Sequence, residues 1–279
     1  MDVSALASWI GRTESKRDHV TEGLVERFVA TLGREMAGRA PPATLGLHWC
    51  LAPPAVPLAE TGPDGHPARG VFLPPVPLPR RMWAGGSMTI HDTLRAGDDV
   101  ERRSQIADVR MKEGRTGSLC FVAVDQVYAT PRGPLVEERQ DIVYRQAPSA
   151  PQPLAGESAD ADRPGDVAVE IEATPPLLFR YSALTFNGHR IHYDRAYATE
   201  VEHYPGLVVH GPLQATFALR LAASLEAGRR LRTFSYRGVS PLIDGGELRV
   251  RARRDGGDAA DLCVMAADNR VTMTGRAEW

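Results

Sequence analysis

The stretch Tyr181–Leu213, YSALTFNGHRIHYDRAYATEVEHYPGLVVHGPL, decides how this chain is read. It holds four of the eight histidines: His189, His192, His203 and His210. Asn187 and His192 stand five positions apart, and His210-Gly211-Pro212 opens an apolar run. Glycine lets another group approach the backbone, and a proline at the first helical position gives up only a donor that the helix does not use. The segment therefore pairs an imidazole, able to move a proton near neutral pH, with backbone N–H groups at a helix tip, able to hold developing negative charge. Single histidines commonly serve as structural residues. Here the pairing points to a site.

Outward from this stretch, a helix is expected from about Gly211 to Ala227. Leu213, Phe217, Leu219, Leu221 and Leu225 make it apolar nearly all round, the pattern of a helix enclosed in a core. A strand over 166–171 precedes the histidine segment after a loop, and strands run on to Trp279. In the first half a short helix is expected around Leu6, Trp9 and Ile10, followed by a polar connection. Thr21 caps a second helix carrying Leu24, Val25, Phe28, Val29 and Leu32, ending near Gly33 or Gly38. From Pro41 to Pro79 the density of proline and glycine excludes long regular elements, because each proline fixes φ and removes a ladder donor. The residues there are apolar enough to pack, so a structured loop over a cavity or interface is expected.

Strands are expected over 82–90, 100–109, 118–128 and 135–145, with a turn at Lys112-Glu113-Gly114-Arg115. In the third of these, Leu119, Phe121, Ala123 and Val127 are the expected core face, with Val122 and Val124 opposite. Residues 147–166, small, acidic and proline-rich, cannot build a core and read as the boundary between two domains, 1–146 and 167–279. The halves echo each other. Trp83-Ala-Gly-Gly leads to a Gly/Asp turn and an alternating strand, as does Tyr236-Arg-Gly, and a helix precedes both. That order suggests a duplicated α+β unit in which a bent antiparallel sheet wraps a helix.

The 279 residues carry a net charge of -2, which argues against a nucleic-acid surface. With 43% hydrophobic and 24% charged residues, the chain reads as soluble and globular. No apolar run approaches the roughly 18 residues of a membrane span, and no leader pattern appears. The three cysteines, Cys50, Cys120 and Cys263, have no metal-ligand or disulfide spacing, so a reducing, cytoplasmic setting is expected. Lysine occurs only at Lys16 and Lys112; arginine supplies the remaining basic residues, and its planar fork suits carboxylates and phosphates.

The runs Tyr181–Asp194 and Tyr204–Leu213 resemble the MaoC-like hot-dog hydratases. They are most similar to the branch with two hot-dog units: type 2 3-hydroxyacyl-thioester dehydratases and mesaconyl-C4-CoA or itaconyl-CoA hydratases. Leu73–Gly86 (LPPVPLPRRMWAGG) resembles the first half of the same enzymes. The resemblance implies a double hot-dog fold of class α+β, with two bent antiparallel sheets each wrapping a central helix. The second domain would be catalytic, and the first would shape the acyl tunnel without catalytic residues of its own. In the wider family the loop reads Asp-x-Asn-Pro-x-His, whose Asp and His activate a water. Matched position by position, that His is His192, but the Asp is Asn187, the Asn is His189 and the Pro is Arg190. An amide accepts no proton, so Asn187 can only orient, and His192 is left as the base.

The resemblance further implies that Gly211 N–H stabilises the thioester oxyanion, with Val209 and His210 beside the acyl-CoA. His203 and His210 are expected in supporting places, and Asp194 as a loop contact. Arg80, Arg81, Arg190 and Arg237 are candidate grips on CoA phosphate or on a substrate carboxylate. The implied activity is reversible hydration of a short branched dicarboxylyl-CoA, mesaconyl-C4-CoA or itaconyl-CoA, to citramalyl-CoA, with neither cofactor nor metal. A 3-hydroxyacyl-ACP or -CoA dehydratase, an acyl-CoA thioesterase and a non-enzymatic acyl-CoA binder stay open as alternatives. So does a homo-oligomer, since hot-dog units often pair their sheets.

Overall fold

The computed structural model describes residues 3–33, 36, 42–114, 117–148, 150–151, 153–226 and 228–279. One ten-stranded antiparallel sheet dominates it. Its strands are β1 (Thr13–His19), β2 (Arg80–Ile90), β3 (Asp99–Gly114), β4 (Gly117–Thr130), β5 (Gly133–Arg145), β6 (Val167–Glu172), β7 (Thr233–Gly238), β8 (Glu247–Arg254), β9 (Ala259–Met265) and β10 (Val271–Glu278). Their spatial order is β1-β3-β4-β5-β2-β7-β10-β9-β8-β6. Read outward from the β2–β7 seam, each half follows the same path: second strand, fifth, fourth, third, first. The duplication inferred from Trp83 and Tyr236 is thus present in the topology, and those two strands are the ones that meet. At the seam Gly86 lies opposite Tyr236 and Gly85 opposite Arg237. A side chain at either glycine would collide; a Cβ on Gly86 would stand 2.3 Å from the Arg139 carbonyl oxygen. The halves therefore share one sheet, joined edge to edge, where the sequence suggested two sheets.

Among the described residues, the α-helices with defined bounds are α1 (Val3–Ala7), α2 (Glu22–Leu32), α3 (Pro175–Leu184) and α4 (Gly211–Leu225). The Thr21 hydroxyl caps α2 by accepting from Leu24 N–H at 3.0 Å, and α2 ends at Gly33, whose φ is 78°. Gly38, Arg115 and Ala227, expected at two helix ends and a turn, lie outside the described residues. Helix α4 is enclosed on nearly every side, from Leu213 through Ala223. Even Arg220 is buried, with its guanidinium donating to the carbonyls of Ala43 (3.1 Å) and Leu45 (3.3 Å) in the proline-rich segment. Among its described residues that segment holds only two single-turn helices, Leu47–Cys50 and Leu58–Glu60, yet it buries Leu47, Leu51, Val76 and Leu78.

Three expectations need correction. The run expected as a polar connection is strand β1; TESKRDH has no apolar face, and its strand state comes from pairing with β3 at the sheet edge. Part of the expected loop before the histidines is helix α3, which Thr174 caps and Pro175 opens. In β4 the core face is Cys120, Val122 and Val124, the alternate set to the one expected. Both faces of that strand are apolar, so alternation alone could not orient it.

Residues 158–166 lie along β8 as a strap. Leu248, Val250 and Ala252 face the core, while the intervening Arg249, Arg251 and Arg253 bind the strap's acids. Arg251 reaches Asp162 at 3.1 Å, and Arg253 reaches Asp166 at 2.8 Å. No helix among the described residues is long and apolar enough to cross a membrane.

Candidate active site

Helix α3 turns into the site through Phe186, a non-glycine residue at φ 49°. Asn187 N–H closes that turn on the Ser182 carbonyl at 2.8 Å, and the Asn187 side-chain oxygen accepts from His189 N–H at 3.0 Å. The amide therefore acts inside the loop, leaving its NH2 as the group able to meet a water. One helical turn, Arg190–His192, then delivers His192 to a buried position.

The His192 ring is fixed twice. Its Nδ1 lies 2.6 Å from the Val208 carbonyl, which can only accept, so Nδ1 carries the proton and Nε2 keeps its lone pair. Its face stacks on His210 at 3.6 Å between ring centres. His210 is held in turn by the Ser182 hydroxyl, 2.8 Å from its Nε2. Burial, opposed by the Val208 bond, pushes His192 down to about 3, and burial also holds His210 well below the usual range. Both rings are neutral at pH 7. His192 thus presents a neutral ring with the Nε2 lone pair preset.

Gly211 is the first residue of α4, so its N–H has no carbonyl one turn back to bond. A Cβ on Gly211 would stand 2.7 Å from Cε3 of Trp83. Trp83 stacks on Tyr236 at 4.4 Å, and the Tyr236 hydroxyl donates to buried Glu138 at 2.7 Å. Glu138 also accepts from Trp49 Nε1 at 2.9 Å. A wall built from both halves thus sets the space in front of the helix tip.

His192 and Gly211 line one cavity of about 840 Å³. Asn187, Val209, Arg80 and Arg81 line it too. Arg80 is already held by Glu202 at 2.6 Å and lies over the Tyr204 ring. Arg81 has no ion pair among the described residues. His210 sits behind His192 rather than on the cavity wall, and His203 lines the wall. Two proposed grips are misplaced. Arg190 donates to Asp194 at 2.8 Å and to the Pro63 carbonyl at 3.1 Å, and stacks over Tyr197, so it braces the loop. Arg237 lies exposed on β7, outside the cavity lining.

The sequence reading missed Asp64 and His66. These come from the proline-rich segment and reach the same cavity. Asp64 Oδ2 accepts from His66 Nδ1 at 3.0 Å, and the His66 ring lies 4.1 Å from that of His189. Ligand atoms of Asp64, His66 and His189 fall within 4.8 Å of one another. Imidazole lone pairs lie in the ring plane, however, and rings tilted only 36° face to face do not converge well on one cation. Only the Asp-Gly-His spacing on a turn could have signalled this pair, and such spacing is common in loops.

The family described as "Hydroxyacyl-thioester dehydratase type 2" matches residues 46–244. The chain belongs to that family. Within it, the chain is 40% identical over 275 residues to the mesaconyl-C(4)-CoA hydratase of Chloroflexus aurantiacus, covering 97% of this chain and 96% of that protein. The family's double hot-dog architecture is also found in solved structures. A MaoC-like dehydratase from Phytophthora capsici superposes with a TM-score of 0.70 at 14% identity, covering 100% of this chain and 99% of the other. A Mycobacterium tuberculosis protein described as having a double hotdog fold gives 0.56 at 13% identity, over 96% and 95% of the two chains.

The buried neutral histidines of this family member predict a pH-dependent stability. His48 and His192 are pushed down to about 3, and His66 to about 4, chiefly by burial. Between pH 6.5 and 4 the unfolded chain binds protons at these rings while the native state does not, so stability falls as pH falls. Each ring costs up to about 1.4 kcal/mol per pH unit in that window. The melting temperature should drop by several degrees from pH 7 to pH 5. A flat profile would show that these rings are not buried neutral.

Proposed function

We propose that this chain adds water reversibly to an α,β-unsaturated dicarboxylyl-CoA, with mesaconyl-C4-CoA as substrate and citramalyl-CoA as product. The observation that carries the reading is the shared cavity: His192, with its Nε2 lone pair preset, and Gly211, whose N–H has no backbone partner among the described residues, line one space. The substrate thioester oxygen is placed at Gly211. His192 Nε2 takes a proton from water as the water oxygen bonds to the β-carbon. The displaced π-electrons move onto the thioester oxygen, where the Gly211 N–H and the positive end of the 15-residue helix α4 stabilise the enolate. The imidazolium then returns its proton to the α-carbon, and atoms and charge balance.

Asn187 is a positioning residue in this scheme, holding the loop and offering its NH2 to the water. The first half, residues 1–146, supplies walls through Trp49, Trp83 and Arg81, and the second, 167–279, supplies the base and the oxyanion donor. The Chloroflexus aurantiacus relative supports the choice of substrate. The rival reading, dehydration of 3-hydroxyacyl thioesters on CoA or ACP, needs an apolar groove where a dicarboxylyl ester needs a cation. Loss of enoyl-thioester absorbance measured on mesaconyl-C4-CoA, itaconyl-CoA and crotonyl-CoA separates them. The highest kcat/KM is expected on mesaconyl-C4-CoA; a preference for crotonyl-CoA would reject the substrate assignment. Release of free thiol would instead identify a thioesterase.

A further inference from the structure

Mesaconyl-C4-CoA carries its free carboxylate on the β-carbon, the carbon that water attacks. An enzyme for such an ester must place a cationic or N–H-rich surface beside its base. We propose that Arg81, His66 and His189 form the subsite for that carboxylate. The inference rests on the hydratase reading and names the part of the site that would make it specific for a dicarboxylyl ester.

Four observations converge on these residues. Arg81, on β2, lines the cavity and pairs with no acid among the described residues, whereas its neighbour Arg80 is occupied by Glu202. His189 is 8% exposed and lines the same cavity, and its ring makes no hydrogen bond among the described residues. His66 stacks on it at 4.1 Å, and His189 stands edge-on to His192 at 5.3 Å, so the cluster begins next to the base. Asp64, which also lines the cavity, holds His66 through Nδ1. The Arg81 guanidinium acts on the whole cluster: after burial it is the largest influence lowering His66, against the opposing pull of Asp64, and at His189 it adds to burial and to the neighbouring His66 and His192 rings. Asp64, the carboxylate of the cluster, is engaged with His66 Nδ1. A carboxylate seated among them meets the guanidinium and the unbonded His189 ring, with His66 able to take up a proton and donate from Nε2.

The placement is rigid because two loops touch backbone to backbone. Arg190 N–H donates to the Asp64 carbonyl at 2.9 Å. A Cβ on Gly188 would stand 2.6 Å from the Gly65 carbonyl oxygen. A structural role alone would explain Asp64 and the two glycines. It would not explain why an arginine with no salt bridge and an imidazole with no ring hydrogen bond, among the described residues, line the same cavity.

The test compares wild type with Arg81→Met and His66→Phe, the latter keeping a ring face against His189. Turnover on mesaconyl-C4-CoA and crotonyl-CoA is measured beside equilibrium binding of succinyl-CoA and butyryl-CoA, which differ by a carboxylate on the β-carbon. Each variant should lower the preference for mesaconyl-C4-CoA over crotonyl-CoA, and for succinyl-CoA over butyryl-CoA, by about 10- to 100-fold, the range for a lost charge-assisted bond. Arg81→Lys should recover part of it. Parallel losses on both members of each pair, with the preference kept, would overturn the proposal. If wild type binds succinyl-CoA selectively but hydrates no enoyl ester, the subsite stands and the hydratase reading falls. If it hydrates mesaconyl-C4-CoA preferentially and the variants keep that preference, the subsite falls alone.

Discussion

Replacing His192 with alanine is expected to lower kcat by about 10²–10⁴-fold, the range for loss of a general acid/base. The structure gives the reason for expecting a large value. Asn187 cannot take a proton, and its oxygen is engaged with His189 N–H. His210 is buried behind the site, with one ring nitrogen on Ser182. His192 is the imidazole whose Nδ1–H is committed to a carbonyl, so its other nitrogen is held ready as a base. Burial pushes its pKa down to about 3 in the free enzyme, so kcat/KM should show no ionisation of this ring between pH 5 and 8. The variant should fold, since the lost ring leaves an opening towards the cavity rather than a stranded charge. Near-normal turnover with an unchanged melting curve would remove His192 from the mechanism. A recovery of rate with added imidazole would locate the missing function at that position.

How far the site could be read from the chain depends on how local its parts are. His192 and Gly211 sit in one stretch, and Gly-Pro marks a helix start wherever it occurs, so their common place on one cavity was legible. The aromatic-glycine echo of Trp83 and Tyr236 was legible too, because close backbone approach at the seam demands glycine on the adjoining strand. Arg190 and Arg237 show the limit. An arginine in sequence proximity to a site says nothing of direction, and one is spent on Asp194 while the other points away. Strand β1 was hidden because an edge strand needs no apolar face. Asp64 and His66 were hidden because their meaning depends on a contact across more than a hundred residues, made by the turn of a proline-rich segment whose composition signals only irregular backbone.

That contact yields the second large effect, at Gly65. Its φ is 85°, a conformation that side chains rarely adopt, and an added Cβ would stand 1.9 Å from the Gly188 carbonyl oxygen. Neither partner can rotate aside, because the obstacle is backbone. The hairpin tip is closed by Gly62 N–H on the His66 carbonyl at 2.7 Å and is docked by Arg190 N–H on Asp64. Gly65→Ala must therefore push the tip away from the loop that carries His189 and His192. A displacement of about 1 Å in reacting groups can cost 10²-fold in rate, so kcat/KM on mesaconyl-C4-CoA should fall by about that factor. The global fold should survive, because the tip adds little to the core built on α4 and the ten strands. Gly97→Ala is the matched control: its φ is 92° but nothing lies within 4 Å of the added Cβ, so it carries the conformational cost without the collision. If Gly65→Ala keeps full activity while melting no lower than the Gly97 control, the two loops are not locked together, and the first half does not reach the chemistry through this turn.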